Sequence, residues 1–322
     1  MPFAEILGHN QNIEVLKRSL LNGKTAHSYI FEGISGSGRK KTALSLIQAL
    51  FCKVIPDDSC GVCPSCRKVS GGNHPDIHIV SPLPDKRDIS VDQLRDLQHD
   101  LSLRPYEAPR KTCIIDPAER MNPSSANSLL KTLEEPPGNA LIILITENSG
   151  TLLTTVRSRC QLIRFAPLSV ENLTELLMKN GMSHDAAALV APMCGGSLQK
   201  AVELNNEALI AHREDVLNRV SHLNINQIST VFNTTEELSG NREVTLELLD
   251  LLLSLYRDAV HIGAGNREIV NQSVRSAIES IAAKNSFRRN LELLERIYET
   301  RRDVQRNANT KLALDNLFMA MG

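Results

Sequence analysis

Gly33-Ile34-Ser35-Gly36-Ser37-Gly38-Arg39-Lys40 stands between an apolar segment, His27-Ser28-Tyr29-Ile30-Phe31, and a stretch from Lys41 to Phe51 whose apolar residues recur at helical spacing. A strand, a glycine-rich turn and a helix in that order place backbone N–H groups around an anion at the helix N-terminus. A phosphate-binding loop of the form G-x-x-x-x-G-K-[S/T] adds a lysine for the β- and γ-phosphates and a hydroxyl for Mg²⁺. Here Gly33, Gly36 and Gly38 supply the backbone half, but Arg39 stands in the lysine position and Lys40 in the hydroxyl position. Sliding the register to Lys41-Thr42 does not restore the pattern, because two residues of slip turn a helical side chain by about 200°. ATP binding without hydrolysis therefore stays open at Gly33, Gly36, Gly38 and Arg39, beside a glycine turn with no nucleotide role.

The rest of the first half alternates strands with helices. Ile77-His78-Ile79-Val80 reads as a second strand. Ser90 is placed to cap a helix whose Val91, Leu94, Leu97 and Leu101 share a face. Lys111 to Asp116 forms a third strand, a helix runs over 124–135 up to Pro136-Pro137, and Leu141 to Thr146 forms a fourth strand. Continuous apolar strands alternating with helices specify a parallel sheet covered on both faces. Asp116, at the end of an apolar strand, is where a P-loop ATPase keeps a Mg²⁺-binding carboxylate; the next residue, where such enzymes can carry a water-activating glutamate, is Pro117. Glu119 reads as a solvated charge at a helix start. The site lacks the groups that turnover needs.

Strand signals stop after Phe165-Ala166-Pro167. Residues 169–204 read as short helices broken at Gly195-Gly196, and from about 207 the pattern is long helices, including Glu243–Ile262, Arg275–Ala283, Phe287–Arg306 and Thr310–Met321. The expected division is an α/β P-loop domain over 1–166, a small helical lid over 167–206 and a helical bundle over 207–322. The longest apolar run, Leu246 to Leu255, is interrupted by Glu247, Asp250 and Ser254 and is too short to span a bilayer. With no signal-like start either, the expected location is the cytoplasm.

Seven cysteines are unevenly placed, and four of them, Cys52, Cys60, Cys63 and Cys66, form C-x7-C-x2-C-x2-C. Four thiolates make a closed tetrahedral set for a structural Zn²⁺, with no open position for a reacting water. An iron–sulfur reading would want a fourth Cys followed by Pro, which Arg67-Lys68-Val69-Ser70 does not offer; unligated thiols are the other reading. The cluster staples an excursion between the first helix and the second strand.

Leu7-Gly8-His9, the strand 27–31, the cysteine cluster and Asn127-Ser128-Leu129-Leu130-Lys131-Thr132-Leu133-Glu134-Glu135-Pro136-Pro137 together resemble bacterial DNA polymerase III clamp-loader subunits of the AAA+ class. The resemblance covers about the first two hundred residues closely. Within that family the degenerate ATPase motifs match the non-hydrolysing delta-prime branch better than the gamma/tau motors. It implies that residues 207–322 form a collar for hetero-oligomerisation. The implied partners are gamma/tau- and delta-type subunits, with the sliding clamp and primed DNA reached through the complex. It also implies that Arg159, in Ser158-Arg159-Cys160, is presented to ATP on a neighbouring subunit, a task suited to a planar, permanently charged group. Spacing alone reads Arg159 as an arginine paired with a carboxylate after the fourth strand. Thr146 matches a polar sensor position, and Gln199 stands where motors carry a second sensor arginine.

Two other functions compete: an active motor subunit of the same machine, and a zinc-dependent nucleic-acid-binding module. A net charge of −1 and 3% aromatic residues argue against the second, since it needs basic surface and stacking platforms. Arg288, Arg289, Arg296, Arg301, Arg302 and Arg306 are interleaved with Glu292, Glu295, Glu299 and Asp303 and read as a solvated or interface face.

Overall fold

A computed structural model describes residues 2–203, 242–266 and 269–321. The chain forms two compact units, Met1–Ala201 and Val202–Gly322.

The first unit is built on five parallel strands: β1 (Ser28–Glu32), β2 (Ile77–Val80), β3 (Thr112–Ile115), β4 (Leu141–Thr146) and β5 (Gln161–Arg164), in the order β2-β3-β4-β1-β5. The expected α/β class, a parallel sheet covered on both faces, is what the structure shows. Alternation along β4 displays the reason. Leu141, Ile143 and Ile145 pack with Phe31, Leu46 and Ile47 on one face, while Ile142 and Leu144 pack with Leu94, Leu129 and Leu133 on the other. Each such aliphatic side chain contributes about 1.5–3 kcal/mol on burial. The first face carries α1 (Asn10–Leu21) and α2 (Arg39–Phe51); the second carries α4 (Val91–Ser102) and α5 (Pro123–Glu134), with α3 (Pro64–Ser70) on the excursion after α2.

Ser90 caps α4 as expected, accepting the Gln93 N–H while Gln93 reaches back to the Ser90 N–H. Two elements go beyond the strand and helix expectations. β5 has only four residues, at the sheet edge, with Gln161 and Arg164 exposed, so its apolar signal is confined to Leu162 and Ile163. α3 is short and polar. Before β3, the buried Asp76 accepts the backbone N–H groups of Tyr106 (2.7 Å), Glu107 (2.9 Å) and Ala108 (2.9 Å), which pins the preceding loop. Helices α7 (Val170–Lys179), α8 (His184–Val190) and α9, which opens at Leu198, follow β5. Gly195 (φ +57°) and Gly196 (φ +84°) break the path between the last two, and a side chain at Gly196 would collide with Pro167.

In the second unit, α10 (Arg242–Gly263) buries Leu248, Leu249, Leu252, Leu255, Tyr256 and Ala259. It packs against α11 (Arg275–Lys284) and α12 (Phe287–Gln305), and α13 (Thr310–Met321) closes that core with Leu314, Leu317 and Phe318. The helices expected over 207–241 lie outside the described residues. On α12, Arg301 pairs with Asp250 at 2.6 Å and Arg289 donates to the Ala320 carbonyl, so two of the expected surface arginines are structural. Among the described residues no helix is long and apolar enough to cross a membrane.

Candidate phosphate-loop site, arginine and cysteine centre

Gly33, Gly36 and Gly38 lie in the turn from β1 to α2, as the sequence requires, and Gly36 (φ +75°) and Gly38 (φ +95°) adopt the left-handed backbone that favours glycine. The turn is held from two sides. His9 Nε2 donates to the Ser37 carbonyl at 2.6 Å, with burial pushing the imidazole pKa down. From the other side the start of α9 closes on the loop: the Leu198 N–H donates to the Gly36 carbonyl (3.1 Å), and the Ser35 hydroxyl donates to Gln199 Oε1 (2.6 Å). A β-carbon on Gly36 would lie 2.5 Å from the Gln199 backbone nitrogen. Gln199 thus touches the loop as a neutral hydrogen-bonding group.

Beside the loop, Ser35, Arg39, Asp116, Pro117, Glu119, Arg120 and Glu147 line a cavity of about 430 Å³. Arg39 is buried, which lowers its pKa, and the nearby carboxylates of Glu147, Asp116 and Glu119 oppose that effect. Lys40 Nζ lies 3.3 Å from Asp116 Oδ2. Lys40 therefore sets its ammonium beside the carboxylate at the end of β3. Glu119 differs from its expected solvated state. It sits in the middle of a single 3-10 turn (Ala118–Arg120), is partly buried and accepts the Glu147 N–H at 3.2 Å, because the chain turns after Pro117. Counting Arg39, Lys40 and Arg120 against Asp116, Glu119 and Glu147, the lining and its flank balance in charge, a poor attractor for a triphosphate. Thr146 is buried, and its hydroxyl donates to the Asn148 carbonyl at 3.2 Å.

Arg159 follows α6 (Thr154–Arg157) and is partly exposed. Its Nε donates to Glu134 Oε1 at 2.7 Å, its Nη2 donates to the same oxygen, and its Nη1 donates to the Thr155 carbonyl at 2.8 Å. The carboxylate pairing that spacing suggested is thus present within the chain, with a partner from the far end of α5.

The four clustered cysteines converge. The Sγ atoms of Cys52, Cys60, Cys63 and Cys66 lie within 4.8 Å of one another, and Cys60 and Cys66 are 4.0 Å apart. A tetrahedral ion with bonds of about 2.3 Å to sulfur separates its ligands by somewhat less than 4 Å, so this set fits such an ion with a small contraction. Backbone N–H groups of Ile55 and Cys60 point at Cys52 Sγ (both 3.4 Å), an arrangement suited to thiolate charge. Cys63 directly precedes α3, which carries Cys66, and Gln48 of α2 donates to the Cys66 carbonyl (2.7 Å), tying the cluster to the main core. The cysteine set can hold a metal ion. Cys113, Cys160 and Cys194 lie apart from it, in the core or partly buried.

Comparison with known proteins places these features in a group. A family model described as "DNA polymerase III, delta subunit" matches residues 8–169, and one described as "DNA polymerase III, delta subunit, C terminal" matches 207–321. DNA polymerase III subunit delta' of Bacillus subtilis is 30% identical over 96% of this chain and 94% of its own length. DNA polymerase III subunit tau of Escherichia coli is 31% identical over 64% of this chain, but over only 33% of its own length. Among solved structures, a DNA polymerase III gamma-subunit-related protein from Thermotoga maritima aligns over 96% of this chain and 98% of its own, with 18% identity and a TM-score of 0.46.

Proposed function

The chain belongs to the DNA polymerase III delta-subunit family, and on that premise we propose that it is the delta-prime-type, non-hydrolysing subunit of a bacterial clamp loader. In this reading it works in the cytoplasm with gamma/tau- and delta-type subunits to place the sliding clamp on primed DNA. Residues 1–166 form its AAA+ domain, 167–206 its lid and 207–322 its collar.

The observation that carries the non-hydrolysing assignment is the set of groups at the site: Arg39 in the lysine position, Lys40 in the metal-hydroxyl position and Pro117 directly after Asp116. Catalysis of phosphoryl transfer rests on positioning and on neutralising phosphate charge with Mg²⁺. Lys40 offers no hydroxyl to the metal and sets its ammonium 3.3 Å from Asp116 Oδ2, Arg39 replaces the phosphate lysine, and Pro117 has no group to activate water. Gly33, Gly36, Gly38 and Arg39 remain the residues that would meet a nucleotide's phosphates, held without turnover.

Arg159 is assigned the trans role: its guanidinium completes the ATP site of the adjoining motor subunit, where it stabilises charge on the transferring phosphoryl group. Cys52, Cys60, Cys63 and Cys66 are assigned to one structural Zn²⁺, which contributes folding energy to the excursion and takes no part in catalysis.

The test is an ATPase assay of the isolated chain beside the chain reconstituted with motor subunits, clamp and primed DNA. The isolated chain is expected to show only background turnover, and the reconstituted complex is expected to lose DNA-stimulated turnover when the chain carries Arg159→Ala. Robust turnover by the isolated chain, abolished by Arg39→Ala, would instead make it a motor.

A further inference from the structure

Glu134 is the last residue of α5, and Pro136-Pro137 end the helix just beyond it. A carboxylate there faces the negative end of the helix dipole, an unfavourable place for it. What it gains in that position is Arg159. Both Nε (2.7 Å) and Nη2 donate to Glu134 Oε1, while Nη1 donates to the Thr155 carbonyl (2.8 Å) and reaches Ser158 Oγ (3.3 Å). An unheld arginine on the surface samples many rotamers, and its planar fork binds phosphate well only when its plane is fixed beforehand. All three guanidinium nitrogens are engaged by two elements distant in sequence, the end of α5 and the turn after α6.

We propose that Glu134 is a positioning residue for Arg159, gripping the Nε–Nη2 edge so that the guanidinium plane is set before the neighbouring nucleotide arrives. This rests on the trans-arginine reading above. An alternative is that Glu134 withholds the arginine, but an ion pair with both side chains partly exposed (32% and 48%) is too weak to compete with a triphosphate. Orientation is the effect the geometry can deliver.

The experiment uses the complete reconstituted complex with clamp and primed DNA. Its readout is the Arg159-dependent share of DNA-stimulated ATPase, the wild-type rate minus that of R159A. E134A is expected to lower this share roughly tenfold in kcat with the KM for ATP unchanged, less than the ~10²-fold that a misplacement of about 1 Å can cost. E134Q is expected to keep most of it, because the amide oxygen accepts the same two N–H groups. In an R159A background E134A is expected to change nothing further. Thermal melts of each variant check that the half-exposed substitution leaves the fold intact. The proposal is overturned if E134A retains the full share, or if it lowers turnover equally with and without Arg159. A complex in which R159A matches wild type removes the trans-arginine reading itself, and the positioning role with it.

Discussion

Replacing Gly36 with alanine separates the cost of an unusual backbone from the cost of prising the glycine loop away from α9. Gly36 sits at φ +75°, where a side chain costs about 1–2 kcal/mol. The new β-carbon would also lie 2.5 Å from the Gln199 nitrogen and 2.6 Å from Ser197 Oγ, so one backbone has to move. Movement stretches the Leu198–Gly36 bond (3.1 Å) and the Ser35–Gln199 bond (2.6 Å), each contributing about 1 kcal/mol. The total is roughly 3–4 kcal/mol. Gly195→Ala is the control: its φ is +57° but nothing lies within 4 Å of the added carbon, so it carries the backbone cost alone. Urea unfolding should place Gly36→Ala about 2 kcal/mol below Gly195→Ala. Amide exchange at Leu198 should accelerate by a further factor of roughly 30 if the opening is local. Equal destabilisation of the two variants, with Leu198 exchange unchanged, would show that α9 does not close on the loop.

Native protein should carry about one Zn²⁺ per chain by elemental analysis, and Cys63→Ser should release it and open the 52–66 segment to proteolysis; carefully prepared protein without zinc would end that assignment. Arg159→Lys should restore clamp loading poorly relative to wild type under limiting ATP, since an ammonium keeps the charge but loses the fork; full rescue would make the charge alone sufficient. Burial alone would raise the Asp76 pKa, but three backbone N–H donors outweigh it and hold the carboxyl below its ordinary value. Its stabilising contribution is therefore present above the unfolded value of about 3.9 and is lost as pH falls through the lower folded one. Wild-type urea midpoints should converge on those of Asp76→Asn below about pH 4 and stay above them at neutral pH; parallel curves would mean that Asp76 does not titrate with folding.

The sheet was legible because its central strands are buried on both faces: Thr112–Ile115 and Leu141–Thr146 have no polar side to blur the apolar run. β5 was not, since an edge strand of four residues with exposed ends carries too little pattern to separate from a loop. The cysteine centre could be read from spacing, because ligands three positions apart around the start of a short helix converge by geometry. At the phosphate loop the missing lysine and hydroxyl were visible in the sequence, but the Lys40–Asp116 pair was not. It joins two residues far apart in the chain, and only the parallel β1–β4–β3 register brings the start of α2 beside the end of β3. The same holds for Arg159 and Glu134. Each lay inside a recognisable motif, yet nothing in either motif says that they touch. Glu119 was misjudged because the bend after Pro117 is a property of the backbone path.

The Lys40–Asp116 pair also bears on whether a lost catalyst can be regained one substitution at a time. Supplying a metal hydroxyl with Lys40→Thr removes the Lys40 ammonium from Asp116 and leaves Asp116, Glu119 and Glu147 around Arg39 and Arg120. That leaves three carboxylates facing two guanidinium groups, a small change in energy at a solvent-accessible pair. Restoring the phosphate lysine with Arg39→Lys leaves Lys40 still seated on the carboxylate. On the proposed reading neither step is expected to confer turnover alone, and Pro117 calls for a third change. On that reading the substitutions are epistatic, and the shortest route to an ATPase is expected to pass through intermediates that are no more active than the present chain.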